Sequence, residues 1–400
     1  MEYELIRTIV ICVFSAFVFG LVARKLKLPT IFGYLLAGVA IGPYTPGIVA
    51  DVSIAKQLAE IGVILLMFGV GMHFSFKDLL TVRKVALPGA IFQIAAATAL
   101  GAVVVRFAGF SWSDALVFGL TLSVASTVVL LRALDQGGIT KTETGKIAIG
   151  WLIVEDVVMI FAIVLVPFIA DMLAHRQEID STLIVNEAWK IVAKIAAFTA
   201  LMFVAGRRIL PWILNYVGRT KSRELLSLTM LTVALSFAYV AYTVFGTSFA
   251  LGAFLAGLVL NESKTGHQSV KYALPMRDTF AVLFFVSVGM LFNPATLVQK
   301  PMLVLVALGI IIVGKFLAAL LIMGLFRQNM RASLTIGVSL AQIGEFSFIF
   351  AGLAMTKGLL AEELYHVILA GALISIALND FLFKALGSMK LLPAAVSRRA

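Results

Sequence analysis

Residues 147–170 read IAIGWLIVEDVVMIFAIVLVPFIA, an apolar run interrupted by two adjacent acids, Glu155 and Asp156. A run of this length is sufficient for a helix to cross the roughly 30 Å hydrocarbon core of a bilayer. Both carboxylates would then lie near the middle of the bilayer, where ionisable side chains are costly and usually functional. The stretch therefore predicts a transmembrane helix that carries an ion or proton site.

The whole chain has the composition of a membrane protein. Its 400 residues are 61% hydrophobic and 13% charged, whereas soluble domains are about 45–50% apolar and about 25% charged. We therefore predict an all-α polytopic membrane protein, with residues 1–400 forming a single transmembrane domain. The net charge of +11 does not indicate nucleic-acid binding, because the basic residues are scattered between the apolar runs.

Apolar runs bounded by charge, Gly or Pro predict about 13 transmembrane helices. Basic residues concentrate on one side of the predicted crossings, which places the N-terminus outside and the C-terminus in the cytoplasm. The predicted spans are residues 5–24, 29–42, 54–72, 86–107, 112–133, 146–169, 188–212, 223–244, 247–261, 274–292, 301–325, 333–356 and 363–387.

The chain contains an internal repeat. Three segments of the first half recur in order in the second half at one shift, within one residue. An odd number of crossings separates the copies, so they are inverted relative to each other, as in secondary transporters. We predict repeats over about residues 1–172 and 222–390, joined by a helix over about 188–212. The matching segments are 32–38 with 251–257, 70–72 with 288–290, and 119–122 with 337–340.

Polar residues that occur in only one copy are candidates for chemistry. The shift places Glu155 and Asp156 opposite two apolar residues, and it places Lys315 opposite Ala97. A lysine in mid-membrane needs a carboxylate partner. We therefore expect Glu155 to pair with Lys315, while Asp156 faces an aqueous cavity and binds a cation or a proton. A purely structural triad is the alternative.

Two spans carry polar residues at mid-length, which is typical of locally unwound transmembrane helices. Ser126 and Thr127 lie in span five, and Gln342 and Glu345 lie in its repeat mate, span twelve. We expect two broken helices that cross, with these side chains at half-helix N-termini. The alternative is that the hydroxyls bond to the backbone of an unbroken helix.

The sequence offers no other type of functional site. No His, Cys and acidic residues have metal-ligand spacing, and no nucleotide-binding motif is present. We therefore expect no enzyme activity, no cofactor, and no metal beyond a transported monovalent cation.

The segments containing these residues resemble the monovalent cation:proton antiporter-2 family, in particular the YbaL-like members of its Kef-type branch. The resemblance covers nearly the whole chain. It is carried by residues 33–38, 65–71, 125–127, 149–156, 260–263, 286–290 and 342–346. It implies the sodium/proton antiporter fold, a core domain and a dimerisation domain, an elevator-like motion, and a homodimer in a bacterial-type inner membrane.

By the same resemblance, Asp156 is the residue that carries the ion and proton, and Lys315 is the core lysine that pairs with its acidic neighbour. The implied function is antiport of a monovalent cation, K+ rather than Na+, against protons. Glu155 departs from the family pattern, which has Asp or Gln there. Control by nucleotide or glutathione would require a C-terminal nucleotide-binding domain, which these residues do not include.

Three alternative functions use the same kind of fold. They are a gated K+ efflux channel, a non-transporting membrane sensor or docking subunit, and a sodium-coupled symporter for an organic solute. The predicted cluster of two acids and a lysine argues against the sensor and the symporter, because neither function requires such a cluster.

Overall fold

The structure is a computed structural model that describes residues 3–73, 76–140, 142–174, 189, 193, 196–245, 249–261 and 264–388. Every regular element in these ranges is helical. The predicted linker span 188–212 lies partly outside them. The first copy of the repeat contains α1 (Glu4–Lys25), α2 (Thr30–Ile41), α3 (Val52–His73), α4 (Phe76–Phe107), α5 (Trp112–Ser123), α6 (Thr127–Gln136) and α7 (Glu143–Ala174).

The second copy follows the helix α8 (Arg207–Arg219) and repeats this order, except that three helices, α12 to α14, take the place of α4. A π-helical turn, Gly309–Gly314, precedes α14 directly. The helices are α9 (Arg223–Thr243), α10 (Phe249–Asn261), α11 (Lys264–Met290), α12 (Thr296–Gln299), α13 (Pro301–Leu308), α14 (Lys315–Leu325), α15 (Met330–Leu340), α16 (Glu345–Thr356) and α17 (Glu362–Ser388).

Many of these helices can cross a membrane. Among the described residues, 7 are long and apolar enough by themselves, and two bent helix pairs raise the number to 9. The helices α2 and α10 are apolar but shorter. These findings confirm an all-helical, multi-pass membrane protein, and the count of about 13 crossings stays a prediction.

Helix boundaries reproduce the predicted repeat. The helices α15 and α16 each begin 218 residues after α5 and α6. In each copy, a side chain caps the N-terminus of the first half-helix, α5 or α15, at equivalent positions. Ser111 accepts a hydrogen bond from the Asp114 N–H at the start of α5, and Asn329 accepts one from the Ala332 N–H at the start of α15. The two copies therefore begin their broken helices by the same local chemistry.

Close helix contacts at glycine are also repeated. A Cβ at Gly33 in α2 would lie 2.5 Å from the Phe19 carbonyl oxygen of α1. A Cβ at Gly252 in α10 would lie 2.5 Å from the Phe237 carbonyl oxygen of α9. Only glycine allows backbones to approach so closely, so the shared sequence motif has a shared packing role.

A second pair of glycines joins one copy to the other. A Cβ at Gly71 in α3 would lie 2.2 Å from the Phe254 carbonyl oxygen of α10. A Cβ at Gly289 in α11 would lie 2.1 Å from the Leu35 carbonyl oxygen of α2. Each contact pairs a helix of one copy with a helix of the other, so the repeats interleave.

The chain forms two compact units. Unit one comprises residues 1–16, 47–74 and 163–288, and it packs α3 and α9 against α10. Unit two comprises residues 17–46, 75–162 and 289–400. It contains both broken helices and all predicted site residues, around an apolar core that includes Trp151, Met323 and Ile336.

The Gly119 contact tests this packing. A Cβ at Gly119 in α5 would lie 2.2 Å from the Thr98 carbonyl oxygen of α4. We expect Gly119→Ala to destabilise the protein by about 1–3 kcal/mol, because α4 and α5 must separate. The measurement is thermal unfolding of the detergent-solubilised protein.

The matched control is Gly324→Ala in α14, where an added Cβ meets no atom within 4 Å. Its melting temperature should stay equal or rise slightly, since alanine favours helix over glycine. Equal melting temperatures for the two variants would contradict the proposed close contact.

Candidate functional site

Both predicted helix breaks are present in unit two. The helix α5 ends at Ser123, Val124 is extended with φ −97° and ψ 132°, and α6 begins at Thr127. The second break separates Leu340 from Glu345, and its two half-helices are bent by 40°. The alternative of unbroken helices is therefore wrong.

The two breaks contact each other directly. The Gly344 N–H donates to the Val124 carbonyl oxygen at 3.1 Å. A Cβ at Gly344 would lie 2.5 Å from the Ala125 carbonyl oxygen, so only glycine fits there. Ser347 in α16 donates its hydroxyl to the Thr121 carbonyl oxygen of α5 at 2.7 Å. Residues of the second broken helix thus donate hydrogen bonds to carbonyl groups at the C-terminal end of α5.

Side chains satisfy the N–H groups that the first break exposes. The Ala125 N–H donates to Glu155 Oε2 at 2.8 Å. The Ser126 N–H donates to Gln342 Oε1 at 2.8 Å, and Ser126 Oγ accepts from the Val129 N–H at 3.3 Å. A carboxylate and an amide therefore cap the positive end of α6.

Lys315 interacts with the other break. Its ammonium donates to the Gln342 carbonyl oxygen at 2.8 Å, just beyond the C-terminal end of α15, and its side chain is fully buried. A helix C-terminus carries partial negative charge. The π-helical turn before Lys315 belongs to a class of irregularity that is frequent at functional sites.

The predicted ion pair between Glu155 and Lys315 requires correction. Among ion pairs of 4.0 Å or less in the described part of the chain, none joins these two residues. The Glu155 oxygens accept instead from the Ala125 N–H and from Gln93 Nε2, at 2.8 and 2.6 Å. The two side chains still belong to one hydrogen-bond network, because Gln342, whose carbonyl accepts from Lys315, also accepts from the Ser126 N–H next to Ala125. Backbone groups at the breaks compete for both side chains and replace the direct contact.

Asp156 has a different environment from its neighbour. Its Oδ2 accepts from Thr127 Oγ1 at 3.0 Å. Its Oδ1 is buried and has no hydrogen-bond partner within the described residues. The side chain is only 7% exposed. An unsatisfied, buried carboxylate oxygen is costly, so this atom requires a proton, a cation or water.

Glu345 lies beside Asp156 at the first position of α16. Ser126 donates its hydroxyl to Glu345 Oε2 at 2.9 Å. The next residue in the chain, Thr127, donates to Asp156, so the two carboxyl groups bond to adjacent hydroxyls. The cluster therefore contains three carboxyl groups and one ammonium, an arrangement that favours added positive charge.

The structure brings all seven predicted residues into one cluster of unit two, in which all but the partly exposed Thr127 are buried, and it adds Gln93. This amide in α4 is fully buried and contacts Glu155. Gln93 lies opposite Ile311 in the repeat, so the search for polar residues in one copy could have found it. It was missed because it stands alone in its span.

The chain matches a known family of transporters. The family described as "Sodium/hydrogen exchanger, transmembrane" matches residues 13–387. The chain belongs to the sodium/hydrogen exchanger family. It is therefore a multi-pass membrane transporter and not an enzyme, as the sequence predicts.

Two relatives illustrate the similarity. YbaL of Escherichia coli (strain K12), whose name assigns it provisionally to cation/proton antiport, is 53% identical over 382 residues, 96% of this chain and 68% of YbaL. K(+) efflux antiporter 4 of Arabidopsis thaliana is 30% identical over 398 residues, 99% of this chain and 65% of that protein. The chain spans about two thirds of the length of these relatives.

A solved structure supports the fold. The sodium proton antiporter MjNhaP1 from Methanocaldococcus jannaschii superposes with a TM-score of 0.72 at 17% identity, and the match covers 97% of this chain and 98% of that chain. This likeness confirms the sodium/proton antiporter fold predicted from the sequence.

The role of Lys315 can be tested by stability. We expect Lys315→Met to destabilise the protein by about 1–3 kcal/mol, because the Gln342 carbonyl would lose its donor in a buried site. Lys384→Met is the matched control, since Lys384 is half exposed and pairs with Asp380 on the same helix. Such surface pairs contribute about 0–1 kcal/mol. Thermal unfolding measures the stability of both variants. A Lys315 variant as stable as the control would contradict the role of Lys315 as the donor to the Gln342 carbonyl.

Proposed function

We propose that the chain exchanges a monovalent cation, K+ in preference to Na+, for protons by alternating access. The observation that carries this proposal is the buried Asp156 Oδ1, which lacks a hydrogen-bond partner in the described part of the chain. Membership of the sodium/hydrogen exchanger family supports the exchange of a cation for protons.

The proposed coupling is competition for one carboxylate. Protonated Asp156 is neutral and can remain buried. When it releases the proton to one side, the carboxylate binds a partly dehydrated cation together with nearby oxygens, including Thr127 Oγ1 and Ser126 Oγ. Glu345 contributes further negative charge. Because a proton and a cation cannot both occupy the carboxylate, the two flows are linked.

Glu155 and Lys315 have a different proposed task. Each is bound to a backbone group at a helix break, so both hold the site in shape and balance part of its charge. This division leaves Asp156 as the group that changes its ligand during transport.

The preference for K+ rests on two similarities. The sequence resembles the Kef-type branch, and a relative at 30% identity is named a K(+) efflux antiporter. We also propose a homodimer in a bacterial-type inner membrane with an outside N-terminus and a cytoplasmic C-terminus. The asymmetric distribution of Lys and Arg supports this orientation.

Replacement of Asp156 tests the exchange mechanism. In proteoliposomes containing a fluorescent pH indicator, addition of K+ to the wild-type protein should move protons. We expect Asp156→Asn to reduce this movement by at least about 100-fold, because an amide neither releases a proton nor attracts a cation.

The matched control is Asp51→Asn. Asp51 is exposed and caps the start of α3 through a hydrogen bond from the Ile54 N–H, and asparagine caps helices equally well. This variant should exchange ions at the wild-type rate. Undiminished exchange by Asp156→Asn would exclude Asp156 as the carrier.

Ion choice and competition can be tested in the same liposomes. We expect K+ and Rb+ to drive proton movement at lower concentrations than Na+ and Li+. The apparent KM for the cation should fall as pH rises, because fewer protons compete for Asp156. A KM that is independent of pH would argue against a shared carboxylate, and a lower KM for Na+ would reverse the proposed ion preference.

A further inference from the structure

Gln93 connects three helices at the centre of unit two. It lies in α4, and its side chain is fully buried. Its Nε2 donates to Glu155 Oε1 of α7 at 2.6 Å and approaches the Ser123 carbonyl oxygen at the end of α5 at 3.4 Å. One amide group therefore contacts both an acid of the core and the backbone next to the first break.

Glu155 has two competing sets of partners. In this structure it accepts from the Ala125 N–H and from Gln93. Lys315 belongs to the same network, because it donates to the carbonyl oxygen of Gln342, whose side chain accepts from the Ser126 N–H. Its ammonium is the alternative partner for the Glu155 carboxylate. Hydrogen bonds to a charged group are stronger than those between neutral groups. The bond from Gln93 therefore favours the present position of the Glu155 carboxylate over contact with Lys315.

We propose that Gln93 is a positioning residue of the exchange site, which holds the Glu155 carboxylate on the Ala125 N–H and away from Lys315. This inference rests on the proposed function of the same site. Gln93 does not contact the transported cation; it acts through Glu155 and the backbone of the first break.

The consequence for the cation follows from the order of residues in the chain. Ala125 is followed directly by Ser126 and Thr127, whose hydroxyls contact Glu345 and Asp156 at 2.9 and 3.0 Å. If Glu155 turns to Lys315, the Ala125 N–H loses its acceptor and the break shifts. The hydroxyl oxygens then no longer stand at the distances that the site requires, and cation affinity falls.

The repeat explains why this device exists in one copy only. The position opposite Gln93 is Ile311, which lies in the π-helical turn before Lys315. The first copy places an amide donor beside the acid, and the second copy places a helix irregularity beside the lysine. The surroundings of the acid and of the lysine therefore differ between the two copies.

The test is Gln93→Met, which keeps the length of the side chain but removes the donor. In proteoliposomes we expect the apparent KM for K+ to rise about tenfold, the scale set by loss of a hydrogen bond to a charged group. The maximal rate should stay within about twofold of wild type. A role in stability alone would lower the maximal rate and the melting temperature and leave the KM unchanged.

The double variant Gln93→Met with Glu155→Gln adds a second readout. A neutral amide at 155 is not drawn to Lys315, and its oxygen can still accept from the Ala125 N–H. The double variant should therefore have the same KM as Glu155→Gln alone. If the KM changes of the two single substitutions multiply in the double variant instead, Gln93 does not act through Glu155 and the proposal is overturned.

Asn379→Leu is the matched control. Asn379 is also a fully buried amide of unit two, and its Nδ2 donates to the Val338 carbonyl oxygen at 2.6 Å. We expect a lower melting temperature and an unchanged KM. If Gln93→Met gives no folded protein, Gln93→Asn replaces it, because the shorter amide cannot reach Glu155, and it should raise the KM in the same way.

The outcomes separate this proposal from the function on which it rests. Exchange by wild type, its loss in Asp156→Asn and a normal KM in both Gln93 variants would overturn only the role of Gln93. Absence of exchange by wild type, or full exchange by Asp156→Asn, would overturn the proposed function and this inference with it.

Discussion

The core of unit two depends on one constraint: a helix that breaks inside a bilayer leaves backbone groups that the hydrocarbon of the lipid cannot satisfy. Two such breaks meet here, and nearly every polar contact of the site serves them. Ala125 and Ser126 donate to Glu155 and Gln342, and Lys315 donates to the carbonyl next to the end of α15. The Ser126 bond joins the two breaks to each other, and Glu155 and Lys315 satisfy one backbone group at each of them.

This constraint divides the charged residues into two groups. Glu155 lies at the positive end of α6 and Lys315 lies at the negative end of α15, so each compensates a helix dipole. Their backbone partners hold them in place. Asp156 and Glu345 accept hydrogen bonds from the hydroxyl groups of Thr127 and Ser126, respectively. The site thus contains two charged residues that bond to the backbone at the breaks and two carboxyl groups that accept from hydroxyl side chains.

The sequence predicted the helical fold from its apolar runs, the repeat from comparison of the chain with itself, and both breaks from polar residues in the middle of apolar spans. Gly33 and Gly252 recur because the same close contact recurs, and Gln342 and Glu345 are conspicuous in an apolar helix. The direct pairing of Glu155 with Lys315 was wrong for a physical reason. The sequence shows which side chains are charged. It does not show that backbone N–H and C=O groups at the breaks lie close enough to bind those side chains, because this depends on how the half-helices pack. Gln93 was missed because it stands apart from other polar residues in the sequence.

The two copies of the repeat share their packing but not their chemistry. Glycine contacts and helix caps recur at equivalent positions, since both copies must build the same scaffold. The acids of α7 and the lysine of α14 have apolar residues opposite them. An identical site in each copy would place like charges close together, which is unfavourable in a medium of low dielectric constant. An acid in one copy and a base in the other avoids that repulsion, and the three carboxyl groups and one ammonium of the site leave negative charge that a bound proton or cation would balance.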